Sequence, residues 1–454
     1  MVCRSRDEGH SREIVDRAAT LPYKPFMNPL ALELNAVLKG SVADALMSGL
    51  GRRLFFPKGI VAQSAEAKKL ATRANATIGI ATRAGKPVFL PVIRGLVPGL
   101  DPEEIFPYAP TQGVEKLREL WKKEIVRKNP DIGASQFSLP LVVAGLTCGI
   151  STLADLFVDR GDTLLLPDLY WDNYPLIFET RREAVIATFP FYSAAGGWNV
   201  EGLRAVLKKA APAGKAAMLL NFPNNPTGYS PTNSEADAIV EAIGEAAASG
   251  VRCLVITDDA YFGLFYEAET YAQSLFARLC CLHENVLAAK VDGSTKEDLT
   301  WGFRTGFITL GAKGLRAEQY DALTRKLMGA VRSTVSNSSI LAQNLLIHAM
   351  ESPDREREKQ DAARLLRERY LRVKAICAAK KSDVIAPLPF NSGYFMSFRL
   401  NRGKAEDLRM ALLMNSGVGT IAIDDQCLRV AFSSVDVEKL EELYDLIYAA
   451  AEKL

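Results

Sequence analysis

Short apolar runs, rich in β-branched residues and lacking internal alternation, recur through the middle of the chain at 141–144, 163–166, 184–187, 217–220, 253–256, 286–289 and 306–310. A strand buried on both faces has this pattern, whereas a strand with one wet face alternates. Helical stretches at 150–157, 200–210 and 234–248 separate several of the runs. Strands interleaved with helices predict an α/β fold: seven strands in a mostly parallel sheet flanked by helices. Just upstream, Val114, Leu117, Leu120, Trp121 and Ile125 repeat at helical spacing.

Beyond Ser333 the pattern changes. A long charged helix is predicted over 354–380, with Leu365, Leu366, Tyr370, Val373 and Ile376 on one stripe. Strand-like pieces follow at 391–398 and 428–432, and an amphipathic helix closes the chain at 437–454. The expected division is a large α/β domain over 86–335 and a smaller α+β domain over 336–454. The N-terminal segment 1–85 is expected to complete the smaller domain. That segment offers candidate helices at 29–38 and 41–50, and glycine and proline set off extended pieces at 75–81 and 85–91.

Composition narrows the choice of function. The 454 residues are 48% hydrophobic and 24% charged, ordinary globular values. A net charge of +2 makes no field for nucleic acid or an anionic membrane, and no basic recognition helix is visible. No apolar run reaches bilayer-spanning length, and the charged first ten residues lead into no signal-like apolar stretch. The seven cysteines form no CxxC pair, which fits reduced thiols. The three histidines are far apart, so no metal site is expected. Together these features predict a soluble, cytoplasmic protein without membrane or nucleic-acid partners.

The candidate chemistry clusters at strand ends, where open parallel sheets bind ligands. Gly145-Leu146-Thr147-Cys148-Gly149 joins a strand to a helix, so backbone amides and a helix N-terminus can meet a phosphate. Trp171, two residues after Leu169, offers a flat ring for stacking. Asn221-Phe222-Pro223-Asn224-Asn225-Pro226-Thr227-Gly228 is a loop that prolines and a glycine hold in one shape. Asp258-Asp259-Ala260-Tyr261 places a carboxylate and a phenol at the next strand end. Finally, Lys296 and Arg304 stand eight residues apart in a glycine-punctuated segment. A lysine beside a phosphate-binding arginine can hold an aldehyde cofactor as a Schiff base. Taken singly, these stretches also read as tight turns, core aromatics or surface cations. Their succession at strand ends is what those readings leave unexplained.

The string Asn221-x-Pro223-x-Asn225-Pro226-Thr227-Gly228, then Asp258-x-Ala260-Tyr261, then Lys296 with Gly302-x-Arg304-x-Gly306 resembles the pyridoxal-phosphate-dependent aminotransferases of fold type I, class I/II, which are aspartate aminotransferase-like. The likeness runs from about residue 79 to the C-terminus. It implies pyridoxal 5'-phosphate as cofactor, held on Lys296 as a Schiff base. It also implies Asp258 on the ring nitrogen, Asn225 and Tyr261 on the phenolic oxygen, and Trp171 stacked on the ring. Arg304 and the amides of Leu146 and Thr147 would hold the phosphate. Tyr108 would reach it from the partner subunit of a homodimer, and Arg429 would clamp the substrate carboxylate. The Asn225–Pro226 bond would be cis.

Where many relatives carry a phosphate-binding serine three residues before the lysine, this chain has Gly293, leaving Ser294 or Thr295 to take that place. Either Tyr170 or Trp171 could supply the stacking ring. The implied reaction is transfer of an amino group between an L-amino acid and a 2-oxo acid. The same cofactor cage could also support β- or γ-elimination or replacement, a lyase or synthase reaction.

Overall fold

All seven apolar runs are strands. The computed structural model describes residues 29–54, 82–83, 86–87, 99–435 and 437–454. The readings of residues 1–28, of the extended piece at 75–81 and of most of 85–91 lie outside them. The strands are β1 (Leu141–Val143), β2 (Thr163–Pro167), β3 (Val185–Phe189), β4 (Lys215–Asn221), β5 (Arg252–Asp258), β6 (Val286–Gly293) and β7 (Gly306–Gly311). Their order in the sheet is β1-β7-β6-β5-β4-β2-β3. β3, β2, β4, β5 and β6 pair in parallel, while β7 runs antiparallel to both β6 and β1.

Both faces of this sheet are covered, which is why the strands do not alternate. Leu254 and Ile256 of β5 enter one apolar core, while Cys253 and Val255 enter the other. Parallel neighbours need crossovers. These contain the helices α5 (Leu146–Phe157), α6 (Val200–Ala210) and α7 (Asn233–Ala248), while α4 (Glu115–Lys128) precedes the first strand. Further on come the single turn α8 (Ser294–Glu297) and the helices α9 (Ala317–Thr334), α10 (Ile340–Glu351) and α11 (Asp354–Ala379).

The smaller layer holds β8 (Ile385–Pro387), β9 (Met396–Leu400), β10 (Ile421–Ala422) and β11 (Cys427–Val430), in the antiparallel order β8-β9-β11-β10. Helices α12 (Ala405–Ser416) and α13 (Val437–Ala451) pack beside it, with Phe398 edge-on to Tyr448 at 5.5 Å.

Two packings bear on where the chain divides. Residues 29–54 were expected beside the smaller sheet but lie against the large one. Helices α1 (Pro29–Leu38), α2 (Val42–Leu46) and α3 (Gly49–Arg53) bury Leu34, Leu38, Val42 and Leu46 in the core that α5 and α9 also line. Gly51 sits on the Leu156 carbonyl, where an added Cβ would stand 2.0 Å from the oxygen. Lys326 of α9 donates to the carbonyls of Gly51 and Leu54 at 2.9 and 2.8 Å, which satisfies the end of α3. Likewise α10, beyond the expected boundary at 335, packs on α4. There Gln343 Oε1 accepts from the Val114 amide at 2.8 Å.

Among the described residues no helix is long and apolar enough to cross a membrane.

Candidate active site

The carboxyl ends of β1, β2, β4, β5 and β6 surround a cleft of about 120 Å³. The parallel order predicts this position, since each strand delivers its following loop to the same rim. Leu146, Thr147, Trp171, Asn225, Asp258, Tyr261, Lys296 and Arg304, all selected from the sequence, line it together.

Lys296 leaves the one-turn helix α8 with its Nζ 4.5 Å from the centre of the Tyr261 ring. Burial lowers its pKa below the usual lysine value; Asp258 opposes that shift and Arg304 adds to it. A nearby, fully buried lysine, Lys290 of β6, behaves in the opposite way. It is 1% exposed and paired with Asp259 and Asp292, and these two carboxylates outweigh burial and raise its pKa. Of these two amines, only Lys296 both lines the cleft and is biased toward its neutral form.

Asp258 ends β5, buried. Its Oδ2 accepts from the Tyr174 hydroxyl at 2.6 Å and its Oδ1 from the Ala260 amide at 3.2 Å. Burial raises its pKa, against the Tyr174 hydrogen bond and Lys296, and Asp259 pushes the same way as burial. A carboxylate so placed gains from a cationic ring nitrogen, which would supply the charge that burial removes from reach.

The asparagine loop is fixed from below. Asn221 donates from Nδ2 to the Asp258 carbonyl at 2.8 Å and accepts from the Asn225 amide at 2.8 Å. The Asn225–Pro226 bond is cis as expected, and Phe222–Pro223 is cis as well. Asn225 Oδ1 accepts from Arg429 Nη1 at 2.7 Å. Arg429, on β11, reaches in from the smaller sheet and lies 4.4 Å over the Phe395 ring. Its buried Nε has no partner.

Gly145 and Arg304 form the other end of the cleft. Gly145 precedes α5 with φ +86°, and a Cβ there would stand 2.4 Å from an Arg304 Nη2. The guanidinium therefore lies over the glycine, beside the free amides that open a twelve-residue helix. Arg304 itself is left-handed, with φ 52° and ψ 43°, a conformation that costs a non-glycine residue about 1–2 kcal/mol.

Four placements refine the sequence reading. Ser294 is fully buried, accepts from the Thr300 hydroxyl at 2.7 Å and does not line the cleft. Thr295 does line it, and its buried Oγ1 has no partner. Trp171, not Tyr170, forms the wall, edge-on to Tyr174 at 5.5 Å. Tyr108 is 72% exposed and does not line this cleft. Tyr174 was missed as a functional residue, although it lies three positions after Trp171 in a turn where its amide donates to the Trp171 carbonyl at 3.1 Å.

An orphaned hydroxyl, a side-chain-free cradle under a guanidinium, helix amides and a buried carboxylate make up this donor set. It fits a ligand with a phosphate at one end and a protonated ring nitrogen at the other.

Comparison with known proteins agrees. Residues 90–447 match the family model for aminotransferase class I and II. The aspartate aminotransferase of Geobacillus stearothermophilus is 26% identical over 322 residues, 68% of this chain and 72% of that protein. The aspartate aminotransferase of Bacillus subtilis is 24% identical over 321 residues, again 68% and 72%. The crystal structure of an aminotransferase from Anaerococcus prevotii shares the fold with a TM-score of 0.69 at 22% identity, covering 95% of this chain and 98% of that one.

Proposed function

The chain belongs to the class I and II aminotransferases, which depend on pyridoxal phosphate, and from that premise we propose that the cleft around Lys296 is where it moves an amino group between an L-amino acid and a 2-oxo acid. The relatives named above are aminotransferases, so elimination or replacement has no counterpart among them. The observation that carries the assignment is the half-buried Lys296 amine, lining the same cleft as Asp258 with its pKa lowered.

Bound pyridoxal phosphate supplies an aldehyde that takes up the amino group and an electron-poor ring that withdraws the charge left at Cα. The protein's residues do the rest. Lys296 tethers the cofactor through its amine and, once released, takes the proton from the substrate Cα at Nζ. Its lowered pKa leaves more of the neutral amine available for both tasks. Asp258, held by Tyr174 and Ala260, keeps the ring nitrogen protonated. Asn225 and Tyr261 orient the phenolic oxygen, and Trp171 forms the flat wall. Arg304, Thr295 Oγ1 and the Leu146 and Thr147 amides receive the phosphate. Arg429, steadied by Asn225 and Phe395, is the guanidinium that would clamp the substrate carboxylate.

We assign the protein to the cytoplasm and to a homodimer in which exposed Tyr108 serves the partner's phosphate. We place the division between its two domains within α11, because α10 packs on α4. The relatives' names make L-aspartate the first donor to test.

The test is a single-substrate incubation of the loaded enzyme. One equivalent of keto acid per site, then arrest until a 2-oxo acid is added, is the expected result. Continuous release of ammonia without an acceptor, or borohydride fixation of the cofactor on a lysine other than Lys296, overturns the proposal.

A further inference from the structure

Directly behind the Lys296 turn lies a set of six largely buried charges that no step described so far uses. Glu297 and Asp298 follow the lysine and point away from the cleft. Glu297 Oε1 accepts from Lys359 Nζ at 2.6 Å and also from Lys128. Asp298 Oδ1 accepts from Arg355 Nε at 2.8 Å. Glu124 joins the set, 3.0 Å from Lys128 and 3.6 Å from Arg355, and also accepts from the exposed Arg127 Nη2 at 2.9 Å. The six side chains are 7% to 17% exposed, so these are buried pairs rather than surface contacts.

Three largely buried anions face three cations, and the exposed Arg127 that also donates to Glu124 is itself paired with Glu356, so the cluster is neutral, the condition under which buried charge is tolerated. Its members come from three places: α4 of the large layer, the lysine turn, and the start of α11, which runs to the smaller sheet. The turn is gripped on its opposite side as well. The Tyr394 hydroxyl, from the segment leading into β9, donates to the Lys296 carbonyl at 3.3 Å.

We propose that Glu297 and Asp298, clamped by Lys128, Lys359 and Arg355, are positioning residues that fix where the Lys296 amine stands in the cleft. A one-turn helix has no length of its own to resist rotation, and nucleation theory makes such a turn unstable in isolation. Here two consecutive carboxylates are tied to two different helices. Rotating the turn would therefore break buried ion pairs, and Nζ is held at its place over the Tyr261 ring. Asp298 leads into Leu299, whose φ of 57° is left-handed, so the chain turns sharply just where the clamp ends.

This inference rests on the assignment of Lys296 as the cofactor-bearing amine, and its test separates the two. Purified Lys359→Met, the neutral pair variant Glu297→Gln/Lys359→Met and the conservative Lys359→Arg are mixed with pyridoxal phosphate after checking that each is folded by thermal melt. Covalent capture is followed by absorbance and by the mass of the borohydride-fixed peptide. Misplacing a reacting group by about 1 Å costs up to ~10²-fold, so capture should slow about tenfold or more in the first two variants. Their kcat should fall with little change in KM, and Lys359→Arg should restore both. The pair variant keeps charge balance, so wild-type capture and kcat in that variant would overturn the clamp, as would failure of Lys359→Arg to recover either. Lys296→Ala is the control. If it still captures cofactor covalently the functional assignment itself fails, whereas loss of capture there with wild-type behaviour in the pair variant sinks only the clamp.

Discussion

Gly293 contributes by what it lacks. A Cβ at this position would stand 2.6 Å from the Thr305 carbonyl oxygen and 3.0 Å from Gly306 Cα, both backbone atoms that cannot swing away. The entry to β7 thus packs where a serine side chain would project, and the phosphate-binding hydroxyl has to come from elsewhere. Thr295, lining the cleft with an unpartnered Oγ1, is placed to supply it. Restoring the common residue should therefore harm this protein. We expect Gly293→Ser to lose about 1–3 kcal/mol of stability by overpacking, and to bind pyridoxal phosphate more weakly because Arg304 moves with the strand entry. Thr295→Ala should keep the melting temperature within a degree or two yet weaken cofactor binding by about 0.5–1.5 kcal/mol, the worth of one hydrogen bond. Thermal melts and cofactor titrations of both variants check the pair. The reverse pattern, a tighter-binding Gly293→Ser and an indifferent Thr295→Ala, would remove Thr295 from the site. From sequence, Ser294 and Thr295 are equivalent hydroxyls, because which one faces the cleft depends on the phase of a single helical turn.

Among the elements, legibility followed burial chemistry. The seven strands of the large sheet were readable because both faces are dry and their residues could be almost uniformly apolar. Helices α9 and α10 were not, because buried polar groups interrupt their stripes: Gln319 and Lys326 in one, Gln343 in the other, each satisfied by a distant partner. No local pattern announces such a bond. The reversal of β7 was equally hidden, since an apolar run carries no sign of its direction. The charge cluster behind Lys296 is of the same kind, because Glu124, Glu297 and Lys359 are ordinary surface residues until folding brings them together. It gives the fold a pH signature. Burial alone raises the Glu297 carboxyl, but Lys128 and Lys359 outweigh it and hold the pKa at about 2, below the ordinary 4.5. A folded-state pKa below the unfolded one means stability that is complete above about pH 4.5 and is lost as pH falls toward 2. The cofactor-free protein should therefore show a melting temperature that drops through this acid window. Glu297→Gln should melt lower at neutral pH and show a shallower acid decline. Equal slopes for the two proteins would mean that the carboxylate is not held as the geometry has it.

At the scale of the whole molecule, the open question is Tyr108, a large aromatic side chain left 72% exposed on a chain whose other cofactor-directed residues converge on one cleft. Exposure of this size suits a residue that completes its surroundings on another subunit, and in a two-fold dimer each subunit would lend its tyrosine to the other. The arrangement has a consequence that no single-chain role shares. Lys296→Ala lacks the amine, and Tyr108→Ala lacks the lent phenol, so each homodimer is defective at both sites. In a mixed dimer the two defects fall unevenly. The subunit carrying Tyr108→Ala keeps Lys296 and receives an intact tyrosine from its neighbour, giving one whole site, while the other site collects both defects. Mixing the two variants under conditions that exchange subunits should therefore recover cofactor affinity and turnover to about half the wild-type value per dimer in the hybrid fraction, separable by differently charged tags. If Tyr108 acted within its own chain, the hybrid would contain one site without the lysine and one without the tyrosine, and no recovery would follow. Sedimentation of the wild-type protein as a monomer at assay concentration would exclude the lent residue altogether.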